Sequence, residues 1–375
     1  MAPVTNPLQE EEMSSTTGTK TRTGDQFAVV SQSGPTVTFF DAETYTHVVR
    51  LEVPSEPHEL LFDPETRLVW CTHTYHEGFY DRNAGRHSLI TIIHADTHEV
   101  VDTIDVSPEH GPHGLALDAE RRLVYVSLES GPAGGGGVLV LDADSRKVLR
   151  RIDSEAPGPH WHIIDAEGKR GYATNKEADF ISVLDLQAGK LVDKIDMPGS
   201  EGLALSPDGS TLAVAAPKAN LGRLAAKPGV RLIDTATGKI VNTLWTDDAI
   251  CPVVWAPNGL LLVGQVTTPS ADNADENGMI NPFLVADAPP GRLLVYSGDS
   301  AESMELVGSA EVGVFPLTMM ASPDGALAYV SAIASSVLNI FDLSDPTNPV
   351  QVQAIEIPRK IKAGTHGLAY ITAPV

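Results

Sequence analysis

A unit of roughly 50 residues recurs along this chain, and such internal repetition restricts the fold more than any other feature. The clearest copy reads EGLALSPDGSTLAVAA and then, after a loop, GVRLIDTATGKIVNTL, from Glu201 to Leu244. Two buried strands are indicated around Pro207-Asp208-Gly209, a turn in which proline presets φ and glycine accepts a positive φ. Two further strands flank the turn at Thr235–Gly238. Each unit therefore predicts a four-stranded sheet.

Six full copies of the unit align, and they start at His58, His113, His160, Glu201, Cys251 and Leu317. Their spacing of roughly 40 to 65 residues fits a four-stranded propeller blade and is too long for a leucine-rich or ankyrin repeat. A seventh copy is split, because Phe27–Val53 supplies three outer strands and the segment from His366 supplies an inner strand. Pairing the two ends would close the ring and protect its sheet edges.

The repeat therefore predicts an all-β fold, a seven-bladed β-propeller. The ring would be closed by the C-terminal inner strand joining the N-terminal blade. We expect one propeller domain over residues 26–375, preceded by a disordered tail over residues 1–25.

The repeats also carry a family resemblance. The segment YATNKEADFISVLDLQAGKLVDKIDMPGSEGLALSPDG (Tyr172–Gly209), with weaker copies in VYVSLES and AYVSAIASSVLNIFDL, resembles the YVTN-type propellers of the lactonase-like seven-bladed group. The resemblance covers about residues 26–372 and implies the propeller fold, but no single activity, because the family is functionally mixed. Calcium-dependent lactonase propellers of this group use a ring of Glu, Asn and Asp. In this chain imidazoles stand where hard oxygen ligands are expected, which argues against that activity.

Composition narrows the classes of partner. The net charge of -23, from 49 acidic and 26 basic residues, would repel phosphate backbones and anionic membranes. No apolar run approaches the ~18 residues of a membrane span. The polar first 25 residues lack the apolar region of a secretory signal, and the two cysteines form no disulfide framework. We therefore expect a cytoplasmic protein that binds a small-molecule substrate and neither nucleic acid nor membrane.

Aligning the blades on their first turns places seven residues at one equivalent position, the start of the inner strand. They are His366, His58, His113, His160, Glu201, Cys251 and Leu317. Because the inner strands surround the channel, four imidazoles on consecutive blades would converge near one mouth. Imidazole suits Zn, Fe, Cu and Ni, and a carboxylate is acceptable to most of them. We predict that His58, His113, His160, His366 and Glu201 hold a divalent transition metal, with a hydrogen-bonded ring without metal as the alternative.

Long loops between second and third strands open on the face of the histidines, as a lid over a pocket would. The loop in CTHTYHEGFYDRNAGRH supplies four candidates for substrate contact or general acid–base catalysis: His73, His76, Glu77 and Tyr80. The alternative is that these side chains are simply solvated. His162 could orient a ligand or belong to the core, and a role for Cys251 is left open.

Three functions stay open from the residues alone. The first is a metal-dependent enzyme that acts on a small organic molecule at the channel mouth, by hydrolase, lyase or isomerase chemistry. The second is an Fe(II) oxygenase with four histidine ligands, which is similar in architecture alone to carotenoid-cleaving propellers. The third is a non-catalytic protein-interaction propeller, which has no need of polar groups facing one axial point.

Overall fold

A computed structural model describes residues 24–79, 82–132, 134–197, 199–217, 227–268, 288–360 and 363–374. Within these ranges every regular element is a β-strand, and the strands form seven four-stranded antiparallel sheets and one two-stranded ribbon. No helix in this part of the chain has the length and apolar character needed to cross a membrane. The tail expected over residues 1–25 lies outside the described residues except for its last two. Its disorder, like the cytoplasmic location, stays a prediction.

The seven sheets are the blades, numbered from the N-terminal blade onward. Blade one is β1 (Gln26–Ser31), β2 (Thr36–Asp41) and β3 (His47–Glu52); blade two is β4 (Pro57–Asp63), β5 (Leu68–His73), β8 (Leu89–His94) and β9 (Glu99–Asp105), with the ribbon β6 (Gly78–Phe79) and β7 (Arg82–Asn83) in its loop. Blade three is β10 (His110–Asp118), β11 (Leu123–Ser130), β12 (Gly137–Asp142) and β13 (Val148–Asp153); blade four is β14 (Pro159–Ile164), β15 (Arg170–Asn175), β16 (Phe180–Asp185) and β17 (Lys190–Asp196).

The remaining blades follow the same order from the axis outward. Blade five is β18 (Leu203–Leu205), β19 (Thr211–Ala216), β20 (Gly229–Asp234) and β21 (Lys239–Trp245); blade six is β22 (Ile250–Trp255), β23 (Leu261–Gln265), β24 (Gly291–Ser297) and β25 (Glu305–Val312). Blade seven is β26 (Pro316–Ala321), β27 (Leu327–Ala332), β28 (Val337–Asp342) and β29 (Val350–Glu356), and the last strand, β30 (Thr365–Ile371), is the inner strand of blade one. The all-β, seven-bladed fold predicted from the repeat is confirmed.

The ring closes between the two ends of the chain. Strand β30 pairs antiparallel with β1, with Phe27 opposite Tyr370 and Ala28 opposite Ala369. Buried Asp25 reinforces the closure, because the Tyr370 hydroxyl donates to its Oδ2 at 2.9 Å and the Ala373 amide donates to its Oδ1 at 2.7 Å. The closure predicted from the split repeat is therefore confirmed.

The core lies between the faces of neighbouring blades. Val37 and Phe39 of blade one, for example, pack with Val69 and Cys71 of blade two in a single buried cluster. The second strand of each blade is buried on both faces, whereas the outer strands are largely exposed. Burial of apolar side chains between blades thus holds the blades together, and the axial positions are left for polar residues.

A β-bulge stands where each axial histidine occurs. The pairing of inner and second strands shifts register between Pro57 and Leu60, and the same shift spans His113 in blade three and His160 in blade four. A bulge bends the strand and redirects a side chain out of the pleat. This is the local reason why these imidazoles leave the packed blade faces for the axis.

Candidate functional site

The four predicted histidines come together where the inner strands begin. Ring centroids lie 3.9 Å apart for His58 and His366, 4.4 Å for His58 and His113, and 3.8 Å for His113 and His160. All four side chains are buried. The structure thus brings the four imidazoles into one cluster, while their role as metal ligands stays a prediction.

Two buried carboxylates contact the two ends of this histidine cluster. Glu201 Oε2 lies 3.1 Å from His160 Nδ1, and Glu59 Oε1 lies 3.2 Å from His366 Nδ1. Glu201 is one of the residues predicted from the repeat position, whereas Glu59 is not. A carboxylate at one ring nitrogen orients an imidazole and leaves the other nitrogen available as a ligand atom.

The central imidazoles are neutral near pH 7. Burial is the main cause that lowers the pKa of His58 and His113 well below the usual value. The nearby histidines and Lys176 lower both pKa values further. Since a histidine must be neutral to coordinate a metal, this environment prepares both rings as ligands.

The axial positions form a first tier, and a second tier of equivalent positions accompanies them. In the blades that carry the histidines, each second-tier residue comes one place after the strand partner of the residue that precedes the histidine. Its members are Gln32, Thr74, Glu129, Lys176, Pro217, Val266 and Ile333. The four polar members belong to the four blades that carry the histidines, and the apolar members belong to the other three. On the apolar side, Val266 and Ile333 pack with Cys251, Phe315 and Leu317 in one buried cluster. The two tiers are therefore polar on one half of the ring and, apart from Glu201, apolar on the other.

Glu129 is the centre of a buried hydrogen-bonded group in this second tier. The Tyr75 hydroxyl donates to Glu129 Oε1 at 2.7 Å, and Arg86 Nε donates to Oε2 at 3.0 Å. Lys176 Nζ pairs with Glu129 and also donates to the Tyr75 hydroxyl at 2.8 Å. Glu129 is 1% exposed and Lys176 is 2% exposed. Both the carboxylate and the ammonium are thus satisfied inside the protein, which is the condition for burying an ion pair.

The Glu129 carboxylate is ionised. Burial raises its pKa, but the charges of Lys176 and His160 and the hydrogen bonds from Lys176 and Tyr75 more than offset burial, so the pKa lies below its usual value. An ionised carboxylate beside imidazoles is a donor set suited to a divalent cation.

His113, Glu129 and His160 form a group that could hold a metal ion. One ligand atom from each lies within 4.8 Å of the others, and all three residues are buried. Both ring nitrogens of His113 are buried without a hydrogen-bond partner among the described residues. Such orphaned atoms are rare in native structures and fit a ligand that completes them. The repeat position predicted His113 and His160 but missed Glu129, Tyr75 and Lys176.

His73 does not lie in the loop where its sequence context placed it. It is the last residue of β5 and is fully buried. Its Nδ1 lies 3.1 Å from the Ser55 carbonyl oxygen and its Nε2 lies 2.8 Å from Thr91 Oγ1. The alternative of a solvated loop side chain is wrong for His73. Because protein groups occupy both ring nitrogens, its geometry does not favour the predicted acid–base role.

Two of the other candidates from that loop are exposed, unlike His73. His76 and Glu77 are exposed, and the His76 ring centroid lies 4.6 Å from that of His87. Tyr80 lies outside the described residues. A catalytic role for His76, Glu77 and Tyr80 stays a prediction.

His162 belongs to the core between blades three and four. Its ring centroid lies 6.0 Å from that of Tyr125, and it covers Gly171, where an added Cβ would come within 2.6 Å of its Nε2. Burial lowers the pKa of His162 to about 3. These contacts favour the packing interpretation over an orienting role at the histidine cluster.

A groove of about 600 Å³ lies away from the histidines, at the turns of blades five and six. Its lining includes Asp208, Trp255 and Asp299. Inner strands begin on one face of the propeller and end on the other, so this groove belongs to the face opposite the histidine cluster.

Comparison with solved structures shows the same fold. The periplasmic gluconolactonase PpgL of Pseudomonas aeruginosa has a TM-score of 0.67 with 17% identity, covering 93% of this chain and 99% of that chain. Hydrazine synthase of Kuenenia stuttgartiensis has a TM-score of 0.59 with 18% identity, covering 84% and 89%. These likenesses show the seven-bladed β-propeller fold, and they agree with the resemblance of the repeats to YVTN-type, lactonase-like propellers.

Among curated proteins the chain is similar to the uncharacterized protein YncE of Salmonella typhimurium strain LT2, with 26% identity over 210 residues. The match covers 55% of this chain and 52% of that protein. YncE of Escherichia coli strain K12 is 23% identical over 158 residues, 41% of this chain and 40% of that protein. The chain thus spans about half the length, or less, of the curated relatives it matches. No protein-family model matches the sequence.

Proposed function

We propose that this protein is a metal-dependent hydrolase of a small organic molecule, and that a lactone is the first substrate to test. The observation that carries the proposal is the buried group of His113, His160 and Glu129, in which both ring nitrogens of His113 have no hydrogen-bond partner among the described residues. A lactone is suggested by PpgL, which has this fold and is named a gluconolactonase.

The residues of the site suit this chemistry. A divalent transition metal bound by His113, His160 and Glu129 would polarise a substrate carbonyl and activate water. Tyr75, Lys176 and Arg86 hold Glu129 in place through their hydrogen bonds. The remaining imidazoles of the cluster, those of His58 and His366, would be further metal ligands or would receive the substrate's oxygen atoms. Zn, Fe, Cu and Ni all accept this donor set.

An Fe(II) oxygenase is the second candidate. Two histidines and one carboxylate with open positions are the donor set of many non-haem iron oxygenases, and His113, His160 and Glu129 supply that set. The interaction-platform alternative offers no reason for unpartnered imidazole nitrogens buried at the axis.

The test combines metal analysis with activity. Protein purified without a histidine tag is analysed by inductively coupled plasma mass spectrometry and assayed for hydrolysis of gluconolactone and other lactones, before and after treatment with a chelator. We expect a transition metal near one equivalent, loss of hydrolysis on chelation, and recovery when the metal is restored.

The matched variants are His113→Ala and His47→Ala. His47 begins the exposed strand β3, so its loss should leave metal content and hydrolysis unchanged. His113→Ala should lower both together. A protein that hydrolyses lactones with no metal, or that binds none when supplied, contradicts the proposal. Iron with substrate-dependent oxygen consumption would favour the oxygenase instead.

A further inference from the structure

Glu59 stands out at its position in the repeat. The residue that follows the axial position is Gly367, Glu59, Gly114, Trp161, Gly202, Pro252 or Thr318 in the seven blades. Glu59 is therefore the one carboxylate at a position that elsewhere holds glycine, an apolar ring or a hydroxyl. A buried carboxylate is costly unless a partner compensates it, so its presence needs a physical reason.

The backbone holds Glu59 against the neighbouring inner strand. A Cβ added to Gly367 would overlap the His58 carbonyl oxygen and lie 2.7 Å from Glu59 Cα, so the absence of a side chain at Gly367 permits this close approach. The Glu59 amide donates to Thr72 Oγ1 at 3.1 Å. The close contact with the strand that carries His366 sets the Glu59 side chain beside that imidazole.

The Glu59 carboxylate meets the outer end of the histidine cluster. Its Oε1 lies 3.2 Å from His366 Nδ1, and both side chains are buried. Neither Glu59 Oε1 nor His366 Nδ1 makes a hydrogen bond within the described residues, so the two atoms form a close polar contact that is not aligned as a hydrogen bond. A proton on Nδ1 avoids placing the nitrogen lone pair against the carboxylate oxygen at this distance. The Glu201 contact with His160, at 3.1 Å, is the equivalent arrangement at the other end of the cluster.

We propose that Glu59 is a positioning residue, which holds the proton of neutral His366 on Nδ1 and leaves Nε2 as the free ligand atom. With the imidazole held this way, His366 can contribute Nε2 to a metal or to a substrate hydrogen bond at the cluster. Removing a carboxylate that orients a ligating imidazole typically lowers metal affinity by ~10–100-fold. The inference rests on the proposed metal site for its function, but the tautomer itself can be measured without metal.

The test begins with metal-free protein. Histidines labelled with ¹⁵N report the protonated ring nitrogen by long-range ¹H–¹⁵N correlation NMR at a pH where His366 is neutral, and His366→Gln assigns the signal. We expect the Nδ1–H tautomer in the wild type and in Glu59→Gln, whose amide oxygen can still face Nδ1–H. In Glu59→Leu the Nδ1–H signal should be lost. Finding Nε2–H in the wild type overturns the inference, whatever the variants do.

Metal binding gives the second readout. Titration with Co²⁺, followed by its visible spectrum, should show binding about 10–100-fold weaker in Glu59→Leu, a smaller loss in Glu59→Gln, and none in Glu52→Leu, a carboxylate exposed on β3. Equal affinity and an unchanged tautomer in Glu59→Leu would contradict the role of Glu59 while the proposed hydrolase stands. If the wild type binds no Co²⁺, the metal-dependent function fails, and the NMR result still decides the role of Glu59.

Discussion

The imidazoles of His58 and His366 pack with ring centroids 3.9 Å apart, although His58 lies in β4 of blade two and His366 lies in β30, the last strand of the chain. The contact exists because β30 completes blade one by pairing with β1, beside β4 of blade two. Ring closure therefore builds the histidine cluster as well as the fold, and a change at the C-terminus should affect both.

Truncation after Gly364 tests this coupling. It removes β30 with His366 and exposes the edge of β1, while Asp25 loses its contacts with Tyr370 and Ala373. We expect a loss of cooperative unfolding by calorimetry, together with a loss of metal binding. Deletion of residues 1–23 is the control and should leave the midpoint of thermal unfolding nearly unchanged, since that segment is polar. A truncated protein as stable as the parent would contradict closure by β30.

Gly367→Ala should displace the inner strands near the axis while removing no side chain of the candidate site. The new Cβ would meet backbone atoms of His58 and Glu59, which cannot move without shifting β4. We expect a loss of about 1–3 kcal/mol in the free energy of unfolding by urea denaturation, with weaker Co²⁺ binding. Gly135→Ala is the matched control, because nothing lies within 4 Å of its added Cβ. Its effect should stay within about 0.5 kcal/mol, and a similar loss in both variants would refute the explanation by close approach.

Lys176 and Glu129 should be strongly coupled in stability. Lys176→Met leaves the Glu129 carboxylate buried with one cation fewer and should cost about 3–5 kcal/mol. Glu129→Gln in the same protein removes the uncompensated charge, so the double variant should recover part of that loss. A double-mutant cycle by urea denaturation measures the coupling, which we expect at about 1–3 kcal/mol. Strictly additive effects would mean that the ion pair contributes nothing beyond its separate side chains.

His73 should make stability depend on pH. Burial, the largest cause, lowers the pKa of His73 to about 4 from 6.5; the Ser55 carbonyl raises the pKa and His87 lowers it. Between these two values the unfolded chain binds a proton that the folded protein does not. Above pH 6.5 the protonation of His73 therefore takes nothing from the free energy of unfolding. As the pH falls from 6.5 to 4, the free energy of unfolding decreases by up to about 3 kcal/mol on account of His73.

His73→Gln isolates that contribution, since every other group titrates in both proteins. We expect the free energy of unfolding to fall less between pH 7 and pH 4 in His73→Gln than in the wild type. Parallel curves over that range would show that His73 is protonated equally in the folded and unfolded states.

The repeat by itself determined the fold and the first tier of the site. Alternating buried strands and Pro-Asp-Gly-type turns at a blade's spacing predict a propeller, and the split copy predicts closure through His366. Because equivalent positions in a closed ring face a common axis, four histidines at one position in consecutive blades had to approach one another. The second tier was also within reach, since Glu129 and Lys176 share one repeat position at the end of the second strand.

Only the tertiary structure decided which residues at non-equivalent positions of the repeat are in contact. Tyr75 reaches Glu129 and Lys176 from another blade, and Glu59 meets His366 from the opposite end of the chain. These contacts depend on the bulges that turn side chains toward the axis and on how closely neighbouring inner strands approach. His73 shows the converse, because its sequence context predicted a loop residue, and strand pairing places it at the buried end of β5. The repeat specifies which positions are equivalent in the blades. Long-range packing specifies the distances between residues at non-equivalent positions.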